Sequence, residues 1–139
     1  MKELAFADIK VGDSGSVSKT ITDHDVYTFA GVTMDFNPVH VNDEYAKDSM
    51  FKGRIAHGML SAGFISAVLG TVMPGPNSIY MGQELKFTAP VRIGDTITAT
   101  CTVIEKRDDK RILKLKTVCT NQRGEVVVDG TATIKKIGL

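Results

Sequence analysis

The sequence predicts an α+β fold in which a curved antiparallel sheet wraps around one long central helix. Two observations lead to this prediction. Residues 55–83 contain no Asp, Glu, Lys or Arg, which is typical of a helix enclosed on most sides. The second half of the chain alternates apolar and polar residues in runs bounded by turns, which is typical of antiparallel strands with one buried face. Because 139 residues suffice for one core, we expect a single domain over residues 1–139.

Composition and charge argue against several classes of protein. A net charge of +1 provides no broad basic field for nucleic acid. The uncharged segment is long enough to span a membrane, but Pro74 interrupts it and Gly, Ser and His dilute it, so we predict a buried helix and no membrane partner. The first 13 residues lack the apolar run of a signal peptide. Cys101 and Cys119 lack metal-ligand spacing, which predicts reduced core thiols in a cytoplasmic protein.

The first predicted elements follow from strand and capping patterns. A strand near Ser14–Ile21 leads into a helix opened by Thr22, with Asp25 completing a capping box. Gly31 stands where the C-cap of that helix would fall. The stretch DFNPVH follows as a turn, and a second short helix begins after Asn42, whose side chain can cap it.

The central helix is predicted from about Ala56 to Met73. Small residues recur at every fourth position and share one face, where another backbone could approach closely. They are Gly58, Ala62, Ser66 and Gly70. Four alternating stretches then predict strands around residues 79–87, 97–103, 112–120 and 126–134. The apolar face of that sheet needs a cover, and the central helix is the obvious one.

The stretch DFNPVH places an acid, an amide and an imidazole within six residues. Asp35 and His40 can both move protons near neutral pH. From the residues alone, two interpretations stay open: a catalytic pair, or an Asx turn beside a buried, hydrogen-bonded histidine. As a catalytic pair, Asp35 and His40 would orient and activate one water, and Asn37 would hydrogen-bond either the backbone or that water. Which of the pair is the formal base stays open.

These residues, with Tyr27 before them and Ala46 after them, resemble the MaoC-like (R)-specific enoyl-CoA hydratases. The segments FKGRIAHGML (51–60) and FTAPVRIGDTI (87–97) are similar to later segments of that family and occur in the same order. The resemblance implies the hot-dog fold and reversible hydration of trans-2-enoyl-CoA to (R)-3-hydroxyacyl-CoA. It also implies Asp35 and His40 as the catalytic pair. Met34 stands where the family usually has Gly, a departure that would alter the local backbone or narrow the pocket.

Further site candidates lie near the start of the central helix. Free N–H groups there attract developing negative charge, and Gly58 has no side chain to block its amide, although close packing would also explain this glycine. The family resemblance places an oxyanion donor here. Ser61 could contact the thioester or fill space. His57 is a reserve catalytic candidate, but we favour a ring that hydrogen-bonds the backbone. Lys52 and Arg54 could meet CoA phosphates or serve as ordinary loop charges.

No metal or redox cofactor is predicted, because the sequence lacks GxGxxG, a P-loop and HExxH. CoA would be a thioester substrate. Three alternatives stay open: a (3R)-hydroxyacyl-acyl-carrier-protein dehydratase, an acyl-CoA thioesterase on the same fold, and a non-catalytic acyl-binding subunit. Open sheet edges predict pairing into a homodimer or a dimer of dimers. The resemblance implies that the acyl pocket lies near the dimer interface.

Overall fold

A five-stranded antiparallel sheet forms the body of the protein in a computed structural model that describes residues 1–139. The strands are β1 (Ser14–Thr20), β2 (Ser78–Phe87), β3 (Thr96–Arg107), β4 (Ile112–Thr120) and β5 (Val126–Lys136). Their order across the sheet is β1-β3-β4-β5-β2, and every neighbouring pair is antiparallel. The strands β1 and β2 therefore form the two free edges.

Four helices lie between β1 and β2 in the chain. They are α1 (Asp23–Thr33), α2 (Pro38–Val41), α3 (Asp43–Ala46) and α4 (Gly58–Thr71). The central helix α4 packs on the sheet and contacts β3 most extensively. Its buried residues are Ser61, Ala62, Ile65, Val68 and Leu69. The predicted fold class, a sheet around a central helix, is confirmed. None of the helices combines the length and the apolarity that crossing a membrane requires.

The central helix is shorter than predicted at both ends. Ala56 lies outside the helix, and its N–H donates to the carbonyl of Val91 at 2.7 Å. His57 follows as the N-cap with an extended backbone (φ −62°, ψ 133°), so the helix begins at Gly58. At the other end, Val72 has left the helical region (φ −121°, ψ −61°). The apolar periodicity of the sequence does not predict either end of the helix, because both ends depend on contacts with distant segments or on the local backbone.

Close packing along the stripe of small residues occurs only at its N-terminal end. A Cβ atom on Gly58 would lie 2.5 Å from Cδ1 of Phe87, whereas one on Gly70 would meet nothing within 4 Å. Ser66 and Gly70 are both exposed. The prediction that α4 is enclosed nearly all round is therefore wrong for the single chain, in which one side of the helix faces outward.

The first helix has the predicted start but a later end. Asp25 N–H donates to Thr22 Oγ1 at 3.1 Å, and Thr22 N–H donates to the Asp25 carboxylate at 2.9 Å, which confirms the capping box. Gly31 lies inside the helix, so its prediction as the C-cap is wrong. The C-cap is Met34, in a left-handed conformation (φ 69°, ψ 15°), with its N–H bonded to the Ala30 carbonyl at 2.8 Å. A left-handed position favours glycine, which accounts for the glycine usual in the resembling family.

We expect Met34→Gly to raise the free energy of unfolding by about 0.5–1 kcal/mol. Left-handed backbone costs a residue with a Cβ roughly 1–2 kcal/mol, and the greater freedom of glycine in the unfolded chain offsets about half of that gain. Little packing is lost, since Met34 is 81% exposed. Urea unfolding would measure the change. Met50→Gly is the matched control, because Met50 is 85% exposed without a positive φ and should lose stability. Equal losses in both variants would contradict the explanation.

Candidate active site

The stretch DFNPVH forms two consecutive side chain–backbone bonds that lead into the one-turn helix α2. The Asp35 carboxylate accepts the N–H of Asn37 at 3.2 Å. Asn37 Oδ1 then accepts the N–H of Val39 at 3.2 Å and caps α2, with Pro38 at the first helical position. The predicted turn is therefore the start of a short helix. Of the two bonds expected for Asn37, the one to the backbone is present.

His40 is held through both its ring and its main chain. The ring is buried, and its Nδ1–H donates to the carbonyl of Ile55 at 2.8 Å. Its main-chain carbonyl accepts a bond from Arg54 Nε at 2.7 Å. Because Nδ1 carries the donated proton, Nε2 is the basic nitrogen of the neutral ring. A carboxylate oxygen of Asp35 and a ring nitrogen of His40 lie within 4.8 Å of one another, a gap that one water can bridge.

His57 contacts both members of this pair. Its ring stacks on His40 with centroids 3.9 Å apart, and its Nε2–H donates to the main-chain carbonyl of Asp35 at 2.9 Å. Burial lowers the pKa of His57, the nearby His40 lowers it further, and the bond to the Asp35 carbonyl opposes both effects. The net shift favours the neutral form of the ring. Its bond to the backbone is the geometry favoured from sequence, while Nδ1 is buried without a protein partner.

The N-terminus of α4 differs from those of the other three helices. Side chains cap α1, α2 and α3, through Thr22, Asn37 and Asn42, whereas His57 gives α4 no side-chain cap. The first N–H groups of a helix have no intrahelical acceptor, and they carry the positive end of its dipole. Gly58, the first residue of α4, lines the same cavity as Asp35 and His40. This end of the helix can therefore stabilise negative charge that develops in the cavity.

A largely apolar cavity of about 430 Å³ joins these groups. Asp35, His40, His57 and Gly58 lie on its wall. The apolar lining is Phe51, Ile55, Ala56, Met59, Phe87, Ala89, Pro90, Val91, Val127 and Val128. Such a cavity suits an acyl chain whose reactive end faces a few polar groups.

Other predicted site residues lie outside this cavity. Ser61 is fully buried on the inner face of α4, and its carbonyl accepts a bond from the thiol of Cys119 at 3.5 Å. Asn37 serves as a cap. Met34 points into solvent, so the prediction that it narrows the pocket is wrong for the single chain. The Arg54 side chain is only 7% exposed and its guanidinium is bound within the protein, which leaves no role in CoA phosphate contact.

The side chains of Asp35, His40 and His57 approach one another closely enough to suggest a metal site. Their arrangement does not fit one, however. An imidazole binds a metal in the plane of its ring at about 2.0–2.1 Å. The two rings are stacked 3.9 Å apart with an interplanar angle of 30°, so their planes meet far beyond that distance.

Comparisons with known proteins show the family to which the chain belongs. Residues 10–125 match the model of the MaoC like domain family. The chain belongs to this family. Among its relatives, the (R)-specific enoyl-CoA hydratase of Rhodospirillum rubrum is 59% identical over 129 residues, with 93% of this chain and 89% of the relative covered. The 3-hydroxybutyryl-CoA dehydratase of Methylorubrum extorquens is 43% identical, with 97% and 85% covered.

A solved structure gives the same fold for this MaoC-like domain. The R-hydratase PhaJ1 of Pseudomonas aeruginosa superposes with a TM-score of 0.92 at 43% identity, covering 96% of this chain and 86% of that one. This similarity confirms the predicted hot-dog architecture. The two cysteines also agree with the sequence prediction, since both are free and buried. Burial raises the pKa of each thiol to about 12, so neither is a reactive thiolate at neutral pH.

Proposed function

We propose that this MaoC-like domain is a hydro-lyase that reversibly hydrates trans-2-enoyl-CoA to (R)-3-hydroxyacyl-CoA. One observation supports it above all others. A carboxylate oxygen of Asp35 and a ring nitrogen of His40 lie within 4.8 Å of one another on the wall of an apolar cavity, which the uncapped N-terminus of α4 also lines. The names of two relatives, a hydratase and a dehydratase, describe opposite directions of such a reaction.

In the proposed mechanism the thioester carbonyl lies against the N–H groups at the start of α4. Asp35 and Nε2 of His40 hold the water between them and take its proton as its oxygen attacks C3. The negative charge moves to the thioester oxygen, where each donor such as the Gly58 N–H is worth about 3 kcal/mol. The pair then delivers a proton to C2 from the same side, which gives syn addition of one water. His40 Nδ1–H remains bonded to Ile55 throughout.

The proposed chemistry requires no metal or redox cofactor, because water, two side chains and a helix terminus supply every step. CoA is the handle of the substrate. The free edges of the sheet support the predicted homodimer, and exposed Ile79, Tyr80 and Met81 on edge strand β2 offer an apolar contact surface. The free, buried thiols fit the predicted cytoplasmic location, which stays a prediction.

The alternative functions make different demands on the site. A dehydratase acting on acyl carrier protein would use the same residues but would favour a basic mouth for an acidic partner, which a net charge of +1 does not demand. A thioesterase needs its water aimed at the thioester carbonyl instead of C3. A binding subunit would not need the acid and the base together. The presence of Asp35 and His40 together therefore favours hydration over the thioesterase and the binding subunit.

The test is the loss of the enoyl-thioester absorbance of crotonyl-CoA, followed by chiral analysis of the product. We expect rapid loss and formation of (R)-3-hydroxybutyryl-CoA, with no release of free CoA thiol from butyryl-CoA. Thiol release without hydration would indicate a thioesterase. Hydration of crotonyl-acyl carrier protein at more than about tenfold the kcat/KM of the CoA ester would favour the carrier-protein alternative. Absence of all three activities would overturn the proposed function.

A further inference from the structure

The buried side chain of Arg54 contacts residues of the three helices α1, α2 and α3. Its Nε donates to the main-chain carbonyl of His40 at 2.7 Å, and one terminal nitrogen donates to Asp23 Oδ1 at 2.7 Å. The other terminal nitrogen lies 3.6 Å from Asp43 Oδ1. The guanidinium carbon is 4.9 Å from the ring centroid of Tyr27. One side chain thus joins the start of α1, the helix α2 that carries His40, and the start of α3.

Ile55, the residue after Arg54, holds the ring of His40. The His40 Nδ1–H donates to the Ile55 carbonyl at 2.8 Å, and Ile55 N–H donates to the carbonyl of Val39 at 3.2 Å. Arg54 and Ile55 therefore fix the backbone and the ring of His40 from one short segment. The donor is a charged, planar and rigid guanidinium, so this bond restricts the orientation of the His40 carbonyl more strictly than a bond from a neutral donor would.

We propose that Arg54 is a positioning residue: it fixes the main chain of His40 so that the ring stays bonded to Ile55 and Nε2 faces the water shared with Asp35. The reaction it serves is the proposed function, on which this inference rests. Tyr27 and Asp23 hold the guanidinium in place. Tyr27, which precedes DFNPVH in the family resemblance, thereby acquires a role, because the Arg54 guanidinium lies over its ring.

Two substitutions at Arg54 test the proposal. Arg54→Met keeps the aliphatic stem but removes the charge and every donor, and we expect kcat to fall about 10- to 100-fold while KM changes less than about threefold. Arg54→Lys keeps the charge without the planar fork, so its loss of kcat should be smaller. A fall in kcat at nearly constant KM separates misdirection of His40 from weaker substrate binding.

Arg111 provides the matched control. Its Nε and a terminal nitrogen donate to the main-chain carbonyls of Lys136 and Gly138 at 2.9 Å each, and its guanidinium lies 5.0 Å from the ring centroid of Phe6. Like Arg54, Arg111 bonds main-chain carbonyls and lies against an aromatic ring, but none of these partners lines the cavity, whereas His40 does. Arg111→Met should therefore lower stability without lowering kcat. Equal losses of kcat in the two Met variants would overturn the proposal, and so would an Arg54→Met kcat within twofold of wild type.

Nitrogen NMR of the imidazole rings tests the inference without relying on activity. The chain has only three histidines, His24, His40 and His57, which simplifies assignment. We expect His40 to be the Nδ1–H tautomer in the wild type and a mixture of tautomers in Arg54→Met. An unchanged tautomer would overturn the inference. If the wild type hydrated no enoyl thioester, the proposed function would fail, and this measurement would still decide whether Arg54 fixes His40.

Should Arg54→Met fail to fold, Tyr27→Leu removes only the platform of the guanidinium. Tyr27 is 48% exposed, so the fold should tolerate this change. We expect kcat to fall about threefold to tenfold, again at nearly constant KM, with a partial change in the His40 tautomer. Tyr27→Phe keeps the ring and should restore wild-type kcat. Wild-type kcat in Tyr27→Leu, with an unchanged tautomer, would overturn the inference.

Discussion

Asp35→Asn is expected to lower kcat for crotonyl-CoA hydration by about 10³-fold, and His40→Ala by a similar factor, as expected for loss of a group that moves the proton. Asn keeps the shape of Asp, and its oxygen can still accept the Asn37 N–H that Asp35 accepts at 3.2 Å. The turn should therefore survive while the negative charge is lost. Initial rates and circular dichroism spectra of both variants would test this expectation.

A double variant gives a sharper result. If Asp35 and His40 act on the same water, removing the second group costs little once the first is gone, because residues acting as a unit are strongly non-additive. We expect the double variant to lose no more than about threefold beyond the worse single variant. Multiplication of the two losses would instead assign the residues to separate steps. Retention of more than a tenth of the wild-type rate by either single variant would refute the catalytic pair.

Gly58→Ala is expected to lower kcat by about 10²- to 10³-fold, the typical cost of disturbing an oxyanion donor. The added methyl would lie beside the first free amide of α4 and 2.5 Å from Phe87 Cδ1. Since the ring must move, we also expect the free energy of unfolding to fall by about 1–3 kcal/mol. Parallel measurements of kcat and of urea unfolding would report the two effects separately.

Gly63→Ala is the matched control for this substitution. Gly63 lies in the same helix, but its added Cβ would meet nothing within 4 Å. It should keep full activity and gain about 0.5–1 kcal/mol, the usual advantage of alanine within a helix. Combining Gly58→Ala with Phe87→Leu would separate the two explanations of Gly58. If relief of the clash restored activity as well as stability, Gly58 would serve only close packing.

Local patterns in the sequence predicted most of the elements correctly. The capping box at Thr22 and Asp25 depends on neighbouring residues alone, and so does the cap that Asn42 gives α3. The alternating stretches likewise indicated the strands, because one face of the sheet packs on the core. Three of the predicted site residues, Asp35, His40 and Gly58, line one cavity, while their roles stay predictions.

What failed to follow from sequence depends on distant partners. Ala56 lies outside α4 and donates its N–H to the carbonyl of Val91, a contact that no sequence periodicity could indicate. The spacing of the small residues correctly placed them on one face of α4, but it did not indicate what that face would contact. The sequence alone leaves Arg54 as a loop charge or a phosphate contact, because its partners Asp23 and Tyr27 lie far away in sequence.

The division of the cavity wall between segments has a consequence for engineering. Every group assigned to proton transfer or charge stabilisation lies within residues 35–58, in the connection between β1 and β2. Residues 87–91 and 127–128 supply much of the remaining wall from the sheet and the start of the β2–β3 connection. The reactive groups and much of the acyl-binding wall therefore come from different stretches of the chain, which the bond between Ala56 and Val91 joins. Residues 87–91 and 127–128 are thus the positions at which we expect substitutions to alter substrate choice while the residues assigned to the chemistry stay unchanged.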